Sequence, residues 1–173
     1  MTLSRSLIGV TAVMLALASP AHGEGAKKNW APPAYRTQAQ ALADAAMAAH
    51  PELLSVTFHG APPGTRDVYT MFAGSYPDRI GNPDDPDDVD VIKKGITIID
   101  PRWRRTKDAV KKFVVQTPLR DAGGENVGLI VYAFKVDGQP HRTELQYFEA
   151  ASAMRDALEP EIKTYDGLFG PAK

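Results

Sequence analysis

The stretch "FVVQTPLRDAGGENVGLIVYAFK" (residues 113–135) sets two runs rich in β-branched and aromatic residues on either side of the polar hexapeptide "DAGGEN". Two such runs joined by a short Gly-containing segment read as an antiparallel hairpin. Alternate residues of a strand point to opposite faces of its sheet. In the second run, Leu129, Val131 and Ala133 therefore share one face, and Ile130, Tyr132 and Phe134 share the other. The smoother aliphatic set suits packing against helices, which assigns Tyr132 to the opposite, pocket-bearing face.

Upstream, "ITIIDPRW" (96–103) reads as another strand, and before it "DDPDDVDVIKKG" (84–95) reads as a short helix. Asp85 suits the N-cap, Pro86 the first helical position, and Asp87 and Asp88 the positive end of the helix dipole. Lys93 and Lys94 suit the last turn, and Gly95 the left-handed cap. A calcium loop is the competing reading of so many aspartates. The segment has neither the central Gly nor the terminal Glu of an EF-hand, and Pro86 stiffens it, so capping is the reading adopted.

Further upstream, "LLSVTFHG" (53–60) and "DVYTMFAG" (67–74) form a second predicted hairpin across "APPGTR", with Pro63 and Gly64 at the centre of a type II turn. In its first strand Leu54, Val56 and Phe58 alternate with Ser55, Thr57 and His59. A leading helix is predicted over 34–49, with Tyr35, Ala39, Leu42, Ala46 and Ala49 inward and Pro51 as its stop. Downstream of the opening stretch, Leu145, Phe148, Ala151, Met154, Ala157 and Leu158 recur at helical spacing over 142–158. The order is helix, two strands, helix, three strands, helix. It predicts an α+β fold with five antiparallel strands in one sheet and helices on both faces.

The first residues, "MTLSRSLIGVTAVMLALASPAHG", combine Arg5, an apolar run over 7–18 and small residues near Gly23, the pattern of a secretory signal peptide. The division expected is signal peptide 1–23, flexible lead-in 24–33, one domain over 34–166 and a flexible tail 167–173. A periplasmic or secreted protein, free in solution after cleavage, follows from that leader. The chain has no cysteine, which excludes disulfides, thiolate metal sites and covalent c-type haem attachment. With 20 basic and 21 acidic side chains it offers no basic field to nucleic acid. No nucleophile elbow, phosphate-cradling Gly loop or HExxH run is present, so a non-enzymatic protein without metal or cofactor is expected.

Phe113–Lys135 resembles the closing part of a Cache domain, the extracytoplasmic relative of PAS sensor domains. There a strand runs into a Pro-Leu pair, a Gly-containing turn and a Gly-hydrophobic strand. "VIKKGITIID" (91–100) resembles that family's helix, Gly cap and following strand. The resemblance implies a single, soluble Cache-type ligand binder with a PAS-like sheet, a long N-terminal helix, a short helix over the pocket face and a C-terminal helix. It also implies a separate membrane partner, such as a sensor kinase, chemoreceptor or transporter. On that frame the expected pocket is mostly apolar, lined by Thr57, His59, Tyr69, Met71, Tyr76, Arg79, Trp103, Gln116 and Tyr132. Arg79, in the mixed loop "SYPDRIGNP" (75–83), is the expected partner of a small organic anion, because its planar fork matches a carboxylate. His59, with no matched partner in the sequence, is read as a half-buried structural residue rather than a haem or metal ligand. The alternative is a non-catalytic interaction protein that forms a homodimer through its Ala-rich first helix.

Overall fold

The computed structural model describes residues 27–101 and 111–173. The expected signal peptide and Trp103 lie outside the described residues. The elements are α1 (Gln38–Ala49), β1 (Leu53–Gly60), β2 (Thr70–Gly74), α2 (Pro86–Lys94), β3 (Ile98–Pro101), β4 (Lys112–Arg120), β5 (Asn126–Lys135) and α3 (Glu144–Leu158). The strands form one antiparallel sheet in the order β2-β1-β5-β4-β3. This is the α+β arrangement that the Cache resemblance implies, with a leading helix, a short helix over one face and a C-terminal helix.

Local chemistry accounts for the element ends. Between β1 and β2, the Thr65 N–H donates to Pro62 O at 3.0 Å, and Gly64 at φ 78° occupies the position that a type II turn reserves for glycine. In α2 the charge order works as read, with Asp85 at the N-cap, acids in the first turn, lysines in the last and Gly95 left-handed at φ 64°. α1 begins later than the periodicity predicts. Thr37 Oγ1 accepts from the Gln40 N–H at 3.1 Å and fixes the start there, which leaves Tyr35 outside the helix and half exposed.

The core lies between one sheet face and α1 with α3. Val56, Phe58, Phe113, Val115, Ile130, Tyr132 and Phe134 meet Ala39, Leu42, Ala46, Tyr147, Ala151 and Met154 there. Tyr147 stacks on Phe113 with ring centroids 4.2 Å apart and planes 13° from parallel. That residue, not Leu145, begins the buried stripe of α3, and Leu145 is exposed. In β1 an irregularity between Leu53 and Ser55 puts Leu53 in the core in place of Leu54.

Register decides the face of Tyr132. It pairs with Val56 on one side and Val115 on the other, and cross-strand partners share a face. Tyr132 is therefore core, fully buried beneath the helices, and the expected assignment of the two β5 sets is reversed.

Residues 167–173, expected as a flexible tail, are docked. Leu168 is buried, Phe169 packs on Phe72 with centroids 4.7 Å apart, Thr37 bridges Pro171, and the Ala172 N–H donates to Arg36 O at 2.9 Å. Part of the lead-in is also held, because the Asn29 N–H donates to Gly81 O at 2.9 Å and the Trp30 ring meets Phe169 edge-on.

Candidate functional site

The other sheet face carries a cleft of about 150 Å³ beneath α2. Register builds its floor in two rows, Thr57–Val131–Gln116 and Ser55–Ala133–Val114, across β1, β5 and β4. Lys112 closes one end. It stands four residues from Gln116 on the same strand face, about 13 Å away at roughly 3.3 Å per residue. Asp85, Asp87 and Asp88 of the α2 N-terminal turn wall the Gln116 end. Tyr76 and Arg79 overhang from the loop after β2.

That loop folds back on β2 and so delivers a distant residue to the site. Gly81 N–H donates to Met71 O at 2.8 Å, Met71 N–H donates to Asn82 O at 3.2 Å, and Asp84 N–H donates to Tyr69 O at 3.1 Å. The ribbon sets Asp84 beside His59, whose Nδ1 lies 2.7 Å from Asp84 Oδ1 and whose Nε2 lies 2.8 Å from Thr57 Oγ1. With the ring proton on Nδ1, the imidazole donates to Asp84 and accepts from the Thr57 hydroxyl. Asp88 Oδ2 is 3.9 Å from the same Nδ1 and accepts from the Asp85 N–H at 3.3 Å. Gln116 Nε2 donates to Asp88 Oδ1 at 2.7 Å and to Asp87 Oδ2 at 3.3 Å.

Burial raises the pKa of the Asp84 carboxyl, against the opposing pull of the His59 hydrogen bond and charge. Burial likewise raises that of Asp88, again with His59 opposing. Among the described residues, Asp84 Oδ2 and Gln116 Oε1 are buried without a hydrogen-bond partner.

Of the expected pocket residues, Thr57, His59, Met71, Tyr76, Arg79 and Gln116 line this cleft. Tyr69 does not line it; its ring lies under Lys93 Nζ at 4.9 Å, and its carbonyl holds Asp84. Tyr132 sits on the opposite face, in the core. Arg79 is exposed, with its guanidinium 5.5 Å from the centre of the Tyr76 ring. The expected apolar wall is corrected too, since hydroxyls, carboxylates, Gln116, His59 and Lys112 make most of the lining. Asp84 escaped the sequence reading because its role depends on loop geometry. The sequence places Asp87 and Asp88 at the positive end of the α2 dipole, and that role does not prevent a carboxylate from also facing a cleft.

No protein-family model and no curated protein matches the chain. Among solved structures, the sensor domain of E. coli DcuS matches with a TM-score of 0.39 and 20% identity, covering 56% of this chain. The chain spans 65% of that domain's length, just under two thirds. The blue-light absorbing form of the Thermosynechococcus elongatus PixJ GAF-domain matches with a TM-score of 0.41 and 16% identity, covering 70% of this chain and 84% of that one.

Proposed function

We propose that this chain is a Cache-type sensory module that binds a small organic acid carrying an ammonium group. On this reading it works outside the cytoplasm, freed of its 1–23 leader, and passes its ligand state to a separate membrane kinase, chemoreceptor or transporter. The polarity of the cleft carries the reading. Arg79 and Lys112 offer cationic donors to a carboxylate, while Asp85, Asp87 and Asp88 offer acceptors to an ammonium group. A plain anion would leave the three carboxylates facing like charge. The volume falls below the roughly 300–1,000 Å³ of sites for drug-sized ligands, which favours a molecule the size of an amino acid.

Thr57, His59 and Asp84 have the connectivity of a nucleophile, base and orienting acid. β1 is hydrogen-bonded on both edges, to β2 and to β5, so its amides serve the ladders rather than an oxyanion. The relay therefore supports binding and orientation better than acyl transfer.

A thermal-shift screen of amino acids and simple carboxylic acids tests the proposal. A ligand present at about 100 times its Kd adds about 2.7 kcal/mol of stability. Arg79→Ala should abolish that shift and keep the unliganded melting temperature, because Arg79 is exposed. An undiminished shift in Arg79→Ala would remove the carboxylate contact from the proposal. No shift with any compound would remove the ligand.

A further inference from the structure

We propose that the deep end of the cleft binds one divalent metal ion of the borderline class, Zn2+, Co2+ or Ni2+, through His59, Asp84 and Asp88. Three separate segments bring these donors together: the end of β1, the returning loop and the first turn of α2. One donor atom from each lies within 4.8 Å of the other two. An ion about 2.0–2.2 Å from nitrogen and oxygen donors holds them roughly 3–3.5 Å apart. The observed separations of 2.7 Å and 3.9 Å from His59 Nδ1 bracket that range.

Depth separates this group from an ordinary acidic surface. The side chains of His59, Asp84 and Asp88 are 8%, 0% and 11% exposed. Two buried acceptors, Asp84 Oδ2 in the cluster and Oε1 of Gln116, whose Nε2 bonds Asp88, have no partner among the described residues. A cation would engage Asp84, whose Oδ2 is unpartnered, and offset two carboxylates that otherwise share one imidazole.

The outer partners needed to orient such ligands are in place. Thr57 Oγ1 is 2.8 Å from His59 Nε2, and the Gln116 amide and the Asp85 N–H hold the two Asp88 oxygens. Binding at Nδ1 moves the ring proton to Nε2, which then donates to Thr57 Oγ1, and the hydroxyl turns from donor to acceptor. The imidazole selects the metal class, because Ca2+ and Mg2+ favour all-oxygen shells. Three protein ligands leave a coordination position open to the cleft.

The inference rests on the reading of this cleft as a binding site, and one set of measurements separates the two. Chelator-treated protein is titrated calorimetrically with Zn2+, Co2+ and Ca2+, and the visible absorption of the Co2+ form is recorded. One equivalent of Zn2+ should bind, more tightly than Ca2+, and raise the melting temperature. His59→Gln and Asp88→Asn should each weaken Zn2+ by at least about tenfold. Asp90→Asn, which alters an acid paired with Lys94 on the exposed side of α2, should bind as the wild type does. Absence of Zn2+ and Co2+ binding by the folded wild type overturns the inference, as does undiminished binding by folded His59→Gln. If both cluster variants fail to fold, the wild-type Co2+ spectrum decides. Intense d–d bands of a low-coordinate nitrogen-oxygen site support the site, and the weak bands of hydrated Co2+ overturn it. Zn2+ binding without any response to amino acids would retire the organic-ligand reading and leave the metal site standing; the reverse pattern would do the opposite.

Discussion

His59 uses both ring nitrogens in short hydrogen bonds while sitting almost out of solvent. The alternation of β1 puts Thr57 on the same strand face two residues away, but only the structure shows the two side chains bonded. Asp84 was not legible, because 25 residues and a folded-back loop separate it from the imidazole in the chain. Local periodicity carries no information across such a gap. Tyr132 makes the converse case, a residue whose chemistry suggested a binding group and whose register buries it. Its hydroxyl has no partner among the described residues. Burial raises its pKa, with the Arg155 and Asp156 charges of α3 as lesser influences, which marks it as a helix-side group. A buried hydroxyl left unpaired costs about 1–3 kcal/mol. Tyr132→Phe should therefore be neutral or stabilising by about 1 kcal/mol in urea unfolding, and it should leave every ligand response of the cleft unchanged. A lost response would return Tyr132 to the site.

Elements were legible where their signals are local and ambiguous where two readings share one composition. The acids, proline, lysines and glycine of α2 each occupy a position whose physics is set within one or two turns. β5 offers two apolar sets, and nothing in the strand alone says which set faces helices; only pairing with Val56 and Val115 decides. A contact no pattern foretold joins α1 to β2. Gln40 Nε2 donates to Gly74 O at 3.2 Å, and the Gly74 N–H donates to Gln40 Oε1 at 3.0 Å, so one amide closes the end of an edge strand. Each such bond contributes about 0.5–1.5 kcal/mol net. Gln40→Ala should lower the urea midpoint by an amount equivalent to about 1–2 kcal/mol, with an unchanged m-value. A change under about 0.3 kcal/mol would show that water replaces the amide without loss.

At the scale of the molecule, the layer order follows from the sequence of helices and strands, with a short helix over the sheet face opposite α1 and α3. The closure of the two ends was missed. "YDGLFGPAK" looks like a fraying tail because it has no periodicity, yet Leu168 and Phe169 complete the aromatic cluster around Phe72 and Tyr165. Loss of a buried leucine side chain costs about 2–5 kcal/mol. Leu168→Ala should fall in that range by denaturant titration, which a free tail would not allow. The Tyr35 hydroxyl donates to Phe169 O across 134 positions of sequence, beside the bridge from Thr37 to Pro171. Contacts of such separation form only after the intervening chain has been made. Ribosome-stalled chains halted before Leu168 should therefore remain sensitive to protease, and those carried past Pro171 with room to emerge should resist it. A polypeptide whose clasp joins residues 35–37 to 169–171 stays loose until the second of these has left the ribosome.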